Sequence, residues 1–162
     1  MARRPHSIRK KVITDPLYNS VLVQMLINRI NKKGKRILAK NIILQTFSLL
    51  EKHADPLILL QQSIQNLSPS VEIRTRRVGG TVYSVPLEIH SFRSTNLAIQ
   101  LLLQATYNRS GRKFCQKLAG EIIDASKNMG TAIRRKEEMH RIAQMNSKLN
   151  KNKNKNKNKN KI

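Results

Sequence analysis

Hydrophobic side chains recur along this chain at intervals of three or four residues in six separate segments. Such spacing places the apolar side chains of a segment on one face of a helix. The segments lie at approximately residues 16–33, 35–51, 56–67, 96–107, 114–126 and 132–146. The pattern therefore predicts six helices and a mainly α fold. In the second helix, the predicted core residues are Leu38, Ile42, Phe47, Leu49 and Leu50.

Several helix boundaries are predicted from capping residues. The pairs Asp15-Pro16 and Asp55-Pro56 each combine an N-cap aspartate with a proline suited to the first turn. The segment Lys32–Gly34 is expected to close the first helix, because cations favour the negative end of the helix dipole and glycine favours the stop. Thr131 is expected to cap the last helix.

Between the third and fourth helices the pattern changes to two β-prone segments, residues 71–78 and 81–89. The intervening Gly79-Gly80 pair suits a two-residue hairpin turn with positive φ. Pairing across this turn places Arg76 opposite Tyr83 and places Arg77 on the other face. Because arginine then lies on both faces near the tip, neither face can form a core there. We therefore predict a two-stranded arm, residues 71–89, that projects from the helical body.

The 162-residue chain has the length of a single domain. We divide it into a basic N-terminal extension over residues 1–14, a single helical domain that includes the arm over residues 15–149, and an Asn-Lys repeat over residues 150–162. The repeat has no apolar surface to bury and is predicted to be a disordered tail.

The charge balance indicates a polyanionic partner. The chain carries 32 Lys and Arg residues against 9 Asp and Glu residues, a formal net charge of +23. Self-repulsion of this size destabilises a compact monomer unless a polyanion neutralises it. A membrane is disfavoured as that partner, because no apolar run approaches the ~18 residues that span a bilayer. A basic helix with an exposed aromatic face, which would bind a membrane surface, is also missing from the sequence.

The sequence contains no pattern that predicts an enzyme. It has no G-x-S-x-G nucleophile motif, no H-E-x-x-H metal motif and no complete phosphate-binding loop. The four histidines fall at no metal-ligand spacing, so neither a metal nor a cofactor is predicted. Cys115 is the only cysteine, which excludes an intramolecular disulfide, and it is expected to be a small core residue.

The cations are concentrated in five clusters, two within the first 40 residues, one in the arm, one in a later loop and one in the last helix. These clusters are Arg3, Arg4, Arg9, Lys10 and Lys11; Lys32, Lys33, Lys35 and Arg36; Arg74, Arg76 and Arg77; Arg109, Arg112 and Lys113; and Arg134, Arg135, Lys136 and Arg141. Any one of them could be a solvated surface, but all of them together, with so few acids, favour nucleic-acid binding. Arginine's planar guanidinium suits phosphate contacts.

The residues alone leave RNA and DNA open as partners. Few aromatic side chains are present, 4% of the chain, so stacking on single strands is a poor main mode of binding. Folded RNA recognised through phosphates, shape and 2′-hydroxyls needs only a basic surface. A helical body with an arginine-bearing β-ribbon is also typical of architectural proteins that bend DNA through the minor groove.

Four motifs carry a resemblance to a known family. They are Arg76-Arg77-Val78-Gly79-Gly80 with Tyr83 in the arm, residues 15–20, residues 28–30 with 33–35, and residues 133–138 with His140-Arg141. Together they resemble small-subunit ribosomal protein seven, from residue 1 to about residue 146 and without large insertions. The resemblance implies a six-helix bundle with a β-hairpin between the third and fourth helices.

The same resemblance implies a structural role in the ribosome. It implies direct binding to the 3′ major domain of small-subunit ribosomal RNA, early assembly of the subunit head, and a hairpin near the tRNA exit site and the mRNA path. Neighbouring head proteins and platform protein eleven are the implied protein partners. The implied RNA-binding residues are Arg3, Arg4, Arg9, Lys10, Lys11, Lys32, Lys33, Lys35, Arg36, Arg74, Arg109, Arg112, Lys113, Arg134, Arg135, Lys136, His140 and Arg141, and the implied exit-site residues are Arg76, Arg77, Val78, Gly79, Gly80 and Tyr83.

Two features depart from the family pattern. Met139 stands where the family usually has threonine, and residues 147–149 lead directly into the Asn-Lys repeat instead of an aromatic-containing end. The repeat's lysines are either substitutes for lost phosphate contacts or the result of repeat expansion in an AT-rich genome. That composition and the lack of a transit peptide favour a plastid-encoded protein, with a bacterial cytoplasm as the alternative.

Overall fold

The computed structural model describes residues 13–159 with the exception of residue 79, and the side chains at 78, 81 and 148–159 are outside the description. The elements are α1 (Val21–Ile30), α2 (Arg36–Leu50), α3 (Pro56–Leu67), β1 (Val71–Val78), β2 (Thr81–Glu88), α4 (Ser91–Asn108), α5 (Phe114–Ser126) and α6 (Thr131–Lys159). The predicted mainly α fold, with a two-stranded hairpin between the third and fourth helices, is confirmed.

Every helix contributes to one hydrophobic core. A fully buried residue comes from each of α1 to α6 in turn: Leu26, Phe47, Leu67, Leu102, Leu118 and Ala132. Helix α5 packs against α2, α3, α4 and α6.

The predicted boundaries of α1 are wrong at both ends. Asp15 does not cap the helix, because its Oδ2 accepts from the backbone N–H groups of Leu17 (3.2 Å) and Tyr18 (3.3 Å) and so stabilises a separate turn. The helix starts at Val21 and ends at Ile30, before the predicted stop at Gly34. Lys33 (φ 53°) and Gly34 (φ 77°) instead form the left-handed part of the turn into α2.

Helix α2 buries a face different from the predicted one at its start. Ala39, Ile43 and Phe47 lie in the core, whereas the predicted core residue Leu38 is 56% exposed. Successive residues of a helix are rotated by about 100°, so Leu38 is directed away from the face that Ala39 buries. Phe47 and Leu50 are buried as predicted, and Ile42 and Leu49 are partly buried against the core.

The boundaries of α3 and α5 agree with those predicted from the sequence, whereas the start of α4 does not. Asp55 caps α3, since its Oδ1 accepts from the N–H of Leu57 at 2.9 Å. Helix α4 begins at Ser91 instead of Asn96. Polar residues in its first turn conceal the helical pattern. The buried Ser94 hydroxyl fixes that turn by donating to the carbonyl of Pro69 at 2.8 Å.

Helix α6 continues to Lys159, whereas the sequence predicts an end near Asn146. Helix therefore extends over residues 150–159, where the sequence predicts a disordered tail. The repeat contains no glycine or proline, and lysine is a good helix former, so nothing in its backbone interrupts a helix that has already formed. The division of the chain at residues 14 and 149 stays a prediction.

The arm has the predicted register. Strand β1 pairs with β2 in the antiparallel sense, with Val78 opposite Thr81 and Arg76 opposite Tyr83. Gly80 has φ 83°, as a tight hairpin turn requires. Gly79 is outside the described residues. The base of the arm packs on α6.

Candidate nucleic-acid interface

The turn between α1 and α2 presents four exposed cations, and we call it the basic turn. Its members are Lys32, Lys33, Lys35 and Arg36. Lys35 is the N-cap of α2 and Arg36 is its first residue, and the first turn of the helix contains no acid. The helix dipole destabilises each cation near a helix N-terminus by about 0.3–1 kcal/mol, whereas it stabilises an anion there. A bound anion would therefore relieve the repulsion that these cations experience in the free protein.

Helix α5 begins in the same way. Lys113 is its N-cap, no side chain caps the helix, and no acid lies in the first turn. Arg112 and Lys113 are both exposed. The next residue, Phe114, has its ring 5.2 Å from that of Tyr107, and Nζ of Lys32 lies 4.6 Å from the centre of the Tyr107 ring. The fold therefore joins two clusters that are distant in sequence into one basic surface.

Arg109 lies in an internal ion-pair network. Its Nη1 donates to Oε2 of Glu121 at 3.0 Å and to Oδ2 of Asp124 at 2.6 Å. The hydrogen bond with Asp124, with a further contribution from Glu121, raises the pKa of Arg109 above its usual value. Gly120 leaves room for the guanidinium, since a Cβ there would lie 3.0 Å from Cζ of Arg109. The Arg109 side chain therefore contacts protein at the place where the sequence predicts an RNA contact.

Glu121 links that network to the start of α6. Its buried Oε1 accepts from the N–H of Ala132 at 3.1 Å and from the hydroxyl of Thr131 at 3.3 Å. Helix α6 begins at Thr131, so this residue lies inside the helix instead of preceding it. The prediction that Thr131 caps α6 is therefore wrong. A buried glutamate has no periodic signal, and sequence reasoning missed it. The carboxylate fixes the helix that carries the last basic cluster.

The predicted residues of α6 divide between surface and interior contacts. Arg134 and Arg141 are exposed, and Arg135 is half-buried. Nζ of Lys136 donates to the carbonyl of Asn66 at 2.6 Å. Nε2 of His140 accepts from the backbone N–H of Ser70 at 3.2 Å, at the base of the arm. Lys136 and His140 therefore hold α6 against α3 and the arm.

His140 makes the stability of the protein sensitive to acid. Burial, together with the charge of Lys136, lowers the pKa of His140 below its ordinary value of about 6.5. The corresponding stability is present above about pH 6.5 and is lost as the pH falls through that value towards the lower pKa of the folded state. We expect the wild type to lose about 0.5–1.5 kcal/mol more than His140→Gln between pH 7.5 and pH 5, because protonation removes the acceptor for Ser70.

Urea unfolding at several pH values measures this difference. His90→Gln is the matched control, because His90 is exposed and should leave the pH dependence of the wild type in place. Identical pH profiles for His140→Gln and the wild type would contradict the assignment.

The arm carries two kinds of arginine. Arg76 and Arg77 are exposed near the tip, and Tyr83 is half-buried. Arg74 and Arg93 both contact Glu72 at the base, the latter at 2.6 Å. Burial tends to raise the pKa of Glu72, but the hydrogen bonds from the two arginines outweigh it and lower that pKa. Sequence reasoning missed Arg93, which lies outside every basic run.

Some predicted residues cannot be placed. Arg3, Arg4, Arg9, Lys10, Lys11 and Gly79 lie outside the described residues, as does the side chain of Val78. Over residues 13–159, apart from 79, no helix is long and apolar enough to cross a membrane. The same part of the chain has no group of three or more His, Cys, Asp and Glu side chains that could hold a metal ion.

Comparison with known proteins gives one consistent result. A family model described as "Ribosomal protein S7p/S5e" matches residues 2–147. The chain is 39% identical to small ribosomal subunit protein uS7c of Nephroselmis olivacea and 46% identical to that of Ostreococcus tauri. It is 42% identical to small ribosomal subunit protein uS7 of Gloeothece citriformis. Each alignment spans 148 residues, 90% of this chain and 95% of the relative.

Proposed function

We propose that this chain, which belongs to the ribosomal protein S7p/S5e family, binds the 3′ major domain of small-subunit ribosomal RNA and helps the subunit head to assemble. The family is a structural, non-enzymatic constituent of the small ribosomal subunit, so the chain has a structural role in translation.

The exposed cations at the N-termini of α2 and α5 are the observation that carries the proposal. Arg36 and Lys113 lie where the helix dipole repels them, and neither helix has an acid in its first turn. A phosphate at either terminus would be held by the side chains and by the helix dipole together. These sites, with Arg134 and Arg141 of α6, are the phosphate contacts we propose.

The residues with internal partners receive a different role. Arg109, Lys136 and His140 contact carboxylates, a carbonyl and a backbone N–H within the protein. We propose that they position α5 and α6, and hence the basic surface, instead of supplying most of the RNA contacts. Arg74 acts in the same way at the base of the arm, through Glu72.

The tip of the arm is proposed to lie near the tRNA exit site and the mRNA path. The observation that supports it is that Arg76 and Arg77 are exposed on opposite faces of a two-stranded ribbon. A ribbon with a charged side chain on each face near its tip is suited to lie between polar partners.

Plastid ribosomes are the proposed location, with bacterial ribosomes as the alternative, because relatives of both kinds are similar to this chain.

Crosslinking in whole ribosomes tests the placement of the arm. A photoreactive amino acid at Val82, which is 67% exposed near the tip, is expected to crosslink to tRNA or mRNA in ribosomes purified by sedimentation. Ile58 on α3 is 62% exposed and is the matched control, where no tRNA or mRNA crosslink is expected. Equal crosslinking from both positions would contradict the arm's placement, and absence of the protein from the small-subunit peak would contradict the ribosomal role.

The second candidate is an architectural DNA-binding protein. The arginine-bearing ribbon favours it, since such ribbons enter the minor groove of bent DNA. That function requires bent duplex DNA to bind at least as tightly as folded ribosomal RNA, a difference that a direct titration resolves.

A further inference from the structure

An apolar groove opens within the basic surface, between the basic turn and the adjoining ends of α4 and α5. Its volume is about 190 Å³. One wall is aliphatic and includes Leu38 and Ile42, and the other is aromatic and consists of Tyr107 and Phe114. Lys32 and Lys35 lie at its edge.

The groove exposes apolar side chains that the core of the protein does not use. Leu38 is 56% exposed and Tyr107 is 47% exposed. Both line the groove together with the exposed cations Lys32 and Lys35, where a surface that binds only phosphates would need no apolar groups. This combination of apolar walls and a cationic edge suits a ligand that has both an apolar surface and a negative charge.

The aromatic wall is a fixed platform. Phe114 supports Tyr107 with a distance of 5.2 Å between ring centres and an angle of 37°. Lys32 lies over Tyr107 at 4.6 Å, in a cation–π contact. The long side chain of Lys32 is exposed and can leave the ring for a phosphate at little cost, which frees a face of Tyr107 for a planar group.

We propose that this groove binds an unpaired nucleobase of the RNA, stacked on Tyr107 and packed against Leu38. The inference rests on the proposed function, since it names a base-binding subsite within the same RNA interface. A nucleobase has apolar faces and is joined to phosphates that the neighbouring Lys32, Lys35 and Arg36 can neutralise. No acidic residue lines the groove, so its charge complements a nucleotide. Splayed bases stacked on aromatic side chains are a common mode of RNA recognition.

Two substitutions of Tyr107 test the stacking. Tyr107→Leu keeps an apolar side chain but removes the aromatic face, whereas Tyr107→Phe keeps that face. Removal of base stacking weakens binding by about 5- to 150-fold. We expect that loss for Tyr107→Leu with a fragment of the 3′ major domain of small-subunit ribosomal RNA at 200 mM salt, and wild-type affinity for Tyr107→Phe. The salt dependence should not change, because no phosphate contact is removed.

Tyrosine fluorescence gives a second reading that a purely structural role of Tyr107 would not affect. The chain has three tyrosines and no tryptophan. The wild type should lose more emission on binding the RNA than Tyr107→Phe, because stacking quenches Tyr107. Circular dichroism and thermal unfolding show that each variant is folded before it is compared.

The outcomes separate the inference from the function on which it rests. If the wild type prefers the ribosomal fragment and Tyr107→Leu binds it equally well, the base site is overturned while the proposed function stands, and the groove then suits an apolar segment of a protein neighbour. If the wild type shows no preference for the fragment over a scrambled RNA, the proposed function fails and the base site fails with it.

Discussion

Replacing Glu121 by alanine is expected to lower the free energy of unfolding by about 1.5–3 kcal/mol, because it removes a buried carboxylate that accepts hydrogen bonds from Ala132 and Arg109. The carboxylate is 1% exposed and accepts from Arg109 at 3.0 Å and from the N–H of Ala132 at 3.1 Å. Without it, the start of α6 loses its acceptor and Arg109 keeps only Asp124. Urea unfolding followed by circular dichroism measures the change.

Matched variants show which part of the network carries this stability. Glu121→Gln retains an oxygen acceptor for Ala132 without the charge and should cost less than Glu121→Ala. Glu137→Ala removes an exposed carboxylate and should change stability by no more than about 0.5 kcal/mol. A loss below about 1 kcal/mol for Glu121→Ala would mean that Glu121 does not fix the start of α6.

Reversal of two charges in the basic turn is expected to weaken RNA binding by more than about 100-fold. The variant is Lys35→Glu with Arg36→Glu. Each substitution removes a charge-assisted phosphate contact of about 1.5–3 kcal/mol, and about 2.8 kcal/mol corresponds to 100-fold. Both residues lie at the N-terminus of α2, where a negative charge favours the helix. Unfolding therefore cannot account for the loss, and filter binding to the 3′ major-domain fragment measures it.

The control for this experiment changes the charge equally at other positions. Lys52→Glu with Lys127→Glu alters two exposed lysines outside the basic clusters. Each reversal removes two units of charge, so either pair reduces the formal net charge from +23 to +19. We expect the control to lose less than about 5-fold. Equal losses for the two pairs would mean that overall charge, and no particular surface, binds the RNA.

The parts of the fold that could be predicted are those set by local chemistry. Asp55 with Pro56 marks the start of α3 correctly, because both the cap and the proline act within one turn. The Gly79-Gly80 pair gives the correct register of the arm, since a two-residue turn permits only one pairing of its neighbours. The family match over residues 2–147 confirms the resemblance that the motifs indicate.

The errors arise where tertiary contacts override local signals. Asp15 is a residue type that often caps helices, but its carboxylate instead accepts hydrogen bonds from the backbone N–H groups of Leu17 and Tyr18 in a separate turn. The early start of α4 depends on Ser94, whose partner Pro69 comes from another part of the chain. The end of α6 was predicted near Asn146 from the composition of the repeat, and the helix instead continues to Lys159.

The proposed binding surface was predictable as charge but not as geometry. Counting cations identifies the basic turn and the loop before α5, and both are exposed. The same count cannot separate Arg112, which is exposed, from Arg109, which is paired with Glu121 and Asp124. It also gives no sign of the groove, because Lys32 and Tyr107 meet only in the folded protein.

The most direct test of the central claim compares three nucleic acids for the wild-type protein. The 3′ major-domain fragment, a scrambled RNA of equal length and a bent duplex DNA are titrated at 50 and 200 mM salt. All three affinities should fall by about 10³–10⁵ over that range if about 6–10 phosphates are contacted. The deciding quantity is therefore the ratio of the affinities at 200 mM salt. The account predicts a preference of at least about 100-fold for the fragment, or about 2.8 kcal/mol. Equal affinity for all three would contradict it.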